Sequence, residues 1–223
     1  MRYPNAPDAA LIRTTASRYA ASGRYTRHFI AGKLRQDPAS AAIFAHAAPG
    51  LGHVLDLGCG HGQLALALLI AGRATQVTGL DRAGPKIEDA ARAAAGLPAR
   101  FEAADIATAT LPACDTVLLV DVLYQMPPAL QLNVLARVAA CARRRVFIRA
   151  FDPDVGWRSR VGFAMERIGR ALRREGALTA IAPLPLPRLA VPLAAAGFSV
   201  TIEPCWSGTP LPNVLLFAER APC

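Results

Sequence analysis

Gly58, Gly60 and Gly62 alternate with Cys59 and His61 directly after the run Val54-Leu55-Asp56-Leu57. A short run of this kind, mostly apolar, is what a strand buried on both faces shows. From Gln63 onward, Leu64, Ala65, Leu68 and Leu69 fall on one helical face. Strand, glycine turn and helix N-terminus together bring backbone N–H groups and a positive helix end to one point, where a ligand can lie against the chain. A second apolar run, Val77-Thr78-Gly79-Leu80, ends in Asp81. It stands about 20 residues on, where nucleotide-binding folds place a carboxylate for ribose hydroxyls. The spacing is G-x-G-x-G, not the G-x-G-x-x-G of dinucleotide folds, and no Lys-Ser/Thr pair follows as a phosphate loop requires.

The elements that must position these residues follow from periodicity and punctuation. Residues 8–36 read as one or two helices broken at Ser22-Gly23, with Leu11, Ile12, Thr15 and Tyr19 on one face and Tyr25, Phe29, Ile30 and Leu34 on the next. Asp37-Pro38 ends them, because proline disfavours helix in the residue before it. A short helix over 39–47 stops at Pro49-Gly50. Strands are expected at 54–57, 76–80, 100–104, 116–120 and 146–149, with helices at 62–71, 85–95 and 128–141 between them. That alternation implies a parallel sheet with right-handed crossovers. Residues 198–203 and 214–219 are strands with only a loop between them, which suits an antiparallel hairpin. Between these parts, Trp157, Val161, Met165, Ile168 and Leu172 form one apolar stripe of an amphipathic helix weakened by Gly162 and Gly169. Its other faces carry Arg158, Arg160, Arg167, Arg170, Arg173 and Arg174, and the stiff Pro183–Pro187 stretch follows.

Composition bounds the function. The chain of 223 residues suits one domain with additions and carries a net charge of +9. Only Lys33 and Lys86 of its 25 basic residues are lysines, so the charge is an arginine charge. It fits a solvated basic surface or an acidic partner. No run approaches the roughly 18 apolar residues of a membrane span, and Met1–Asn5 lacks the apolar core of a signal peptide. The five cysteines are scattered without a C-x-x-C. They read as reduced cytoplasmic thiols and offer no metal site.

V-L-D-L-G-C-G-H-G followed by G-L-D-R resembles the class I S-adenosylmethionine-dependent methyltransferases over residues 54–149. The resemblance implies a Rossmann-like α/β fold with a seven-stranded, mostly parallel sheet closed by an antiparallel C-terminal hairpin. It also implies an N-terminal helical lid (1–50), a cofactor-binding core (51–150), a helical insert after strand five (151–190) and a return to the sheet (191–223). On this resemblance S-adenosylmethionine is the cofactor and S-adenosylhomocysteine the product. The Gly58-Cys59-Gly60 turn, with Gly62 and Asp56 in support, meets the methionine half. Asp81 takes the ribose hydroxyls with Arg82 beside it under the adenine. Asp105 and the Ile106 backbone read the adenine, and Asp121 and Val122 line the sulfonium side. His28, Lys33 and Arg35 on the lid can face the site.

The cofactor brings an activated methyl group, so the protein has mainly to align the acceptor and exclude water. The stretch Asp121-Val122-Leu123-Tyr124-Gln125-Met126-Pro127 lacks the Asn/Asp-Pro-Pro-aromatic motif of base-amine DNA methyltransferases, which argues against DNA. Aromatics are too few to interleave with the arginines as a stacking platform for RNA. D-V-L-Y resembles small-molecule methyltransferases, with Tyr124 and Trp157 as substrate contacts. His28 and His61 are the candidate bases for an oxygen acceptor. Lys33-Leu-Arg35-x-Asp37-Pro38, D-V-L-Y and the stretch from Trp157 through Gly208-Thr209-Pro210 resemble methyltransferases of bacterial aryl-polyene and xanthomonadin-type pigment clusters. That narrower resemblance implies O-methylation of a hydroxylated aromatic, tethered to an acidic acyl carrier protein docking on the Arg158–Arg174 segment. The alternatives are N- or C-methylation of another metabolite, RNA methylation, a non-catalytic cofactor-binding subunit, and contact of the basic helix with a membrane surface.

Overall fold

A computed structural model describes residues 6–161, 164, 181–206 and 209–221. Met165, Ile168 and Leu172 of the expected stripe, its arginines 167, 170, 173 and 174, and Gly162, Gly169 and Gly208 lie outside the described residues.

The N-terminal part is three helices set by their caps. Asp8 caps α1 (Ala9–Ser17) by accepting from the Leu11 N–H at 2.7 Å. The chain leaves α1 at Arg18, makes a short 3-10 turn at Ala20–Ser22 and restarts as α2 (Gly23–Gln36), so the break opens earlier than the Ser22-Gly23 expected and takes in Tyr19. Asp37 then caps α3 (Pro38–Ala45), accepting from the Ala39 N–H at 3.0 Å with Pro38 in the first helical position. An oxygen cap and a proline at the first position are both favoured there.

The rest alternates strand and helix: β1 (His53–Leu57), α4 (Gln63–Ile70), β2 (Gln76–Asp81), α5 (Gly84–Ala93), β3 (Ala99–Ala103), β4 (Cys114–Val120), α6 (Pro128–Cys141), β5 (Ala142–Phe151), α7 (Leu186–Ala195), β6 (Ser199–Pro204) and β7 (Asn213–Glu219). The sheet order is β3-β2-β1-β4-β5-β7-β6. β1 to β5 are parallel, and β7 runs antiparallel to both β5 and β6. This is the Rossmann-like arrangement with an antiparallel C-terminal hairpin that the sequence implies.

Both faces of the sheet are covered. Val54, Val77, Leu118, Phe147 and Leu215 point to the side of α1, α3 and α4; Leu55, Leu57, Val117, Leu119, Val146, Ile148 and Leu216 point to the side of α6 and α7. Neighbouring residues alternate between faces, and because both faces are dry the strands read as continuous apolar runs. After Gln63, α4 is apolar to its end and buried from Leu64 to Leu68, with α1 packed over it. α7 starts at Leu186 and buries Leu189 and Leu193 against the α6 side, so the expected boundary at 190/191 falls inside a helix.

β5 differs most from expectation. It starts at Ala142 and not at 146, pairing Cys114 with Ala142 and Thr116 with Arg145. Arginines argue against a strand in sequence, yet Arg145 and Arg149 are 7% and 5% exposed. Arg145 Nε donates to Glu219 at 2.7 Å and its Nη1 reaches the backbone carbonyls of His46 and Ala48. A buried charge with such partners is admissible in a strand.

The order in which strands are laid down reverses between β1 and β4, since β2 and β3 lie on one side of β1 and β4 on the other. In open sheets of this kind the crevice beyond the carboxyl ends of the strands at that reversal is the ligand site. Among the described residues no helix is long and apolar enough to cross a membrane.

Candidate functional site

A cavity of about 570 Å³ opens at that crevice. Its floor is the turn after β1. The N–H groups of Gly58 and Cys59 both donate to the Leu80 carbonyl, at 2.7 and 3.1 Å, which ties the turn to β2. Gly58 has φ +73°, and a Cβ there would lie 2.3 Å from Val122 Cγ2, so only glycine lets the ends of β1 and β4 approach. Gly60 has φ +56° and nothing within 4 Å of where a Cβ would stand. At Gly60 the bare backbone faces open space, the cradle a ligand needs. Gly62 lies behind the wall, at the start of α4.

Asp81, at the end of β2, braces the same turn. One carboxylate oxygen accepts from the Gly60 N–H and the other from the Ala83 N–H, each at 2.8 Å. A carboxylate has about four acceptor positions, so both oxygens keep capacity for ligand hydroxyls. Arg82 and Lys86 stand beside it on the wall. Asp56 lies below, 4% exposed. Burial, and then the negative charge of Asp81, push its carboxyl up to about 7. A cation in the cavity would favour its ionised form. Cys59 is buried, and burial raises its thiol well above the ordinary value, so it stays neutral.

The far wall comes from the ends of β3 and β4. Asp105 turns the chain by accepting from the Ala107 N–H at 2.9 Å, and Ile106 is buried with its carbonyl held by Arg137 Nη1 at 2.9 Å. Both line the cavity, as do Asp121 and Val122. Asp121 has φ +61°, a left-handed backbone uncommon for a residue with a side chain. The cofactor-site residues expected from sequence thus converge on one cavity, save Gly62 behind its wall.

The lid side brings in residues the sequence only half announces. Arg149 Nη1 on β5 donates to Asp37 Oδ1 at 2.8 Å and to Asp121 Oδ2 at 2.9 Å. Lys33 Nζ on α2 is 2.5 Å from Asp37 Oδ2 and 3.7 Å from Asp121 Oδ2. Burial would raise Asp37, but Arg149 and Lys33 carry it below its ordinary value. Burial likewise works against Arg149, and Asp121 and Asp37 overcome it. Two cations and two carboxylates thus close the joint between α2 and α3 onto the ends of β4 and β5. Lys33 was legible as a lid residue. Arg149 was legible only as a charge inside an apolar strand, and Asp37 only as a helix stop.

The remaining candidates separate. His61 lines the large cavity, with Nδ1 3.2 Å from Asp89 Oδ2 but outside hydrogen-bond geometry. Burial lowers its pKa, so the ring is neutral at neutral pH. Its carbonyl accepts from the Tyr19 hydroxyl at 2.6 Å, which clamps α1 onto the glycine turn. His28 is exposed and bonds the Arg24 carbonyl at 2.7 Å, away from the cavity. Arg35 is exposed as well. Tyr124 lines a second, smaller cavity with Phe151, their ring centroids 6.3 Å apart. Trp157 lines neither cavity; it is 57% exposed and lies against Arg158, whose guanidinium is 5.1 Å from it and from Trp206. Among the described residues no group of three His, Cys, Asp or Glu side chains could hold a metal ion.

Residues 54–145 match a family described as a methyltransferase domain. No curated protein matches the chain in sequence. Solved structures share the fold. Magnesium protoporphyrin IX methyltransferase from Synechocystis, with S-adenosylhomocysteine bound, is 22% identical with a TM-score of 0.63, over 96% of this chain and 100% of that one. An O-methyltransferase family protein from Burkholderia thailandensis is 18% identical with a TM-score of 0.67, over 92% and 62%. An O-methyltransferase family 2 protein from Planctomyces limnophilus, in complex with apigenin, is 18% identical with a TM-score of 0.59, over 76% and 50%. The glycine turn and the carboxylates at the strand ends thus lie on or beside the stretch that matches a methyltransferase domain, in a chain whose fold is shared by a methyltransferase with S-adenosylhomocysteine bound.

Proposed function

We propose that the protein transfers a methyl group to a hydroxyl of a small hydroxylated aromatic. S-adenosylmethionine, when bound, supplies the methyl on a positive sulfonium, already activated for displacement. The residues present fit it: an open cradle at Gly60, a ribose-height carboxylate at Asp81 and buried Asp56 for a positive charge. On this reading Gly58, Cys59 and Gly60 hold the methionine half, and Asp81 and Arg82 hold the nucleoside. Asp105 and Ile106 read its base, and Asp121 and Val122 line the sulfonium side. Residues 1–50 act as the lid, held by the Lys33–Asp37–Arg149 contacts.

The observation that carries the acceptor class is the recess of Tyr124 and Phe151 directly beyond Asp121 and Lys33. Aromatic walls favour an aromatic ring. Two fold neighbours, an O-methyltransferase family protein and an O-methyltransferase family 2 protein in complex with apigenin, agree with this, though those properties belong to those proteins. An acidic carrier presenting the ring would suit the net charge of +9. A panel of phenols, anilines and carrier-bound hydroxyaryl chains, incubated with S-adenosylmethionine and read by mass spectrometry, tests the proposal. Methyl ethers are expected. Methylation confined to nitrogen or carbon would overturn it.

A further inference from the structure

Two cavities meet in this molecule, and among the described residues their linings share only Lys33 and Asp121. The large one is the cofactor crevice. The small one, about 150 Å³, is lined by Tyr124, Arg149, Phe151, Ile181, Leu211 and Asn213 besides the shared pair. A cavity of about that volume admits a benzene ring. We infer that the small cavity receives a single aromatic ring of the acceptor, with its hydroxyl at the junction, where Asp121 takes up the hydroxyl proton. The inference rests on the methyltransferase reading above and adds ring size and a proton acceptor to it.

Four observations carry it. The walls are built and not incidental: the Ala182 N–H donates to the Tyr124 carbonyl at 2.7 Å, and Gln131 Nε2 to the Ala182 carbonyl at 2.6 Å. The Tyr124 and Phe151 rings tilt at 56° to one another across the recess. Arg149, 5% exposed, lines the recess and its Nε has no hydrogen-bond partner. Buried donors of that kind are normally hydrogen-bonded, and on this assignment an acceptor oxygen in the recess is within the donor's surroundings. Finally, Asp121 is held in a left-handed backbone at φ +61°, with Oδ2 fixed by Arg149 and the side chain a quarter exposed. Uncommon backbone held in place by its surroundings is a feature of functional positions.

The chemistry balances. The hydroxyl oxygen forms the bond to the methyl carbon as the carbon–sulfur bond breaks. The hydroxyl proton would pass to the Asp121 carboxylate; S-adenosylmethionine, when bound, would supply the methyl group and its sulfur would keep the electron pair of the broken bond. Lys33, 3.7 Å from Asp121, donates to the oxygen as it loses its proton. Asp121 is therefore a catalytic residue on this assignment, and Leu211 sets the size of the recess.

The test uses the full chain loaded with S-adenosylhomocysteine and titrated calorimetrically with phenol and with 1-naphthol. Phenol should bind at least tenfold tighter than 1-naphthol. Leu211→Phe, which fills the recess, should lose phenol affinity at least tenfold while keeping S-adenosylhomocysteine affinity within twofold. Ile181→Phe fills it from another wall and should do the same if Leu211→Phe does not fold. In turnover, Asp121→Asn should lower kcat for phenol roughly hundredfold with little change in KM. It should spare 4-nitrophenol, which is already ionised at pH 8.5. Equal loss on both phenols, equal binding of phenol and 1-naphthol, or unchanged phenol affinity in the filled variants would overturn the inference. The methyltransferase reading stands through those outcomes as long as S-adenosylhomocysteine binds; failure of that binding would overturn both.

Discussion

Arg149 on β5 donates to Asp37 at 2.8 Å, and the two side chains are 6% and 5% exposed. The pair joins the cap of a lid helix to the carboxyl end of a core strand, and the same guanidinium nitrogen holds Asp121. Lid geometry and acceptor-side geometry therefore depend on one buried cation.

Removing that cation should be costly. Arg149→Met leaves buried Asp37 with Lys33 as its remaining cation and takes the 2.9 Å donor from Asp121, so the loss should approach the roughly 3–5 kcal/mol of a buried pair broken from one side. Urea denaturation should show that loss. Replacing both residues by apolar ones should recover part of it, because no uncompensated charge then remains. A single variant as stable as wild type would show that the pair does not hold the lid to the sheet.

Stability should depend on pH through Asp56. Its folded-state carboxyl titrates near 7, raised by burial and then by Asp81, whereas an unfolded aspartate titrates near 4. Between those values the folded state holds more protons than the unfolded one. Stability of the ligand-free protein should therefore fall as pH rises from about 4 to about 7. Asp56→Asn should flatten that slope in urea midpoints taken at pH 5 and pH 8. An unchanged slope would place the titration elsewhere.

Tyr19→Phe should cost about 1–2 kcal/mol. The change removes the hydroxyl that bonds the His61 carbonyl at 2.6 Å and leaves that partly buried acceptor without its partner. The ring itself stays packed, so the loss in thermal or chemical denaturation isolates the clamp on the glycine turn. No loss would mean that α1 holds the turn by apolar packing alone.

The parts legible in sequence are those whose cause is local. β1 and its glycine turn stand out because a strand buried on both faces has no polar alternation, and because Gly58 and Gly60 sit where no side chain fits or where the backbone must lie bare. The lid break near Ser22-Gly23 and the Asp37-Pro38 joint are likewise local. What escaped depends on distant partners. Arg149 is understandable in a strand only with Asp37, 112 residues earlier in the chain, and Arg145 only with Glu219, 74 residues later. The start of β5 was hidden for that reason. Trp157 reads as a substrate contact on a helical stripe, but periodicity cannot say which way a stripe faces, and the structure sets it against Arg158 outside both cavities.

The most direct measurement is calorimetric titration of the wild-type chain and of Asp81→Ala with S-adenosylhomocysteine. One site per chain is expected in the wild type. Asp81→Ala should weaken it by about 1–3 kcal/mol, through loss of both the ribose acceptor and the Gly60 brace. A folded wild type that binds nothing, or a variant that binds as tightly as wild type, would contradict the placement of the methyl donor in this crevice.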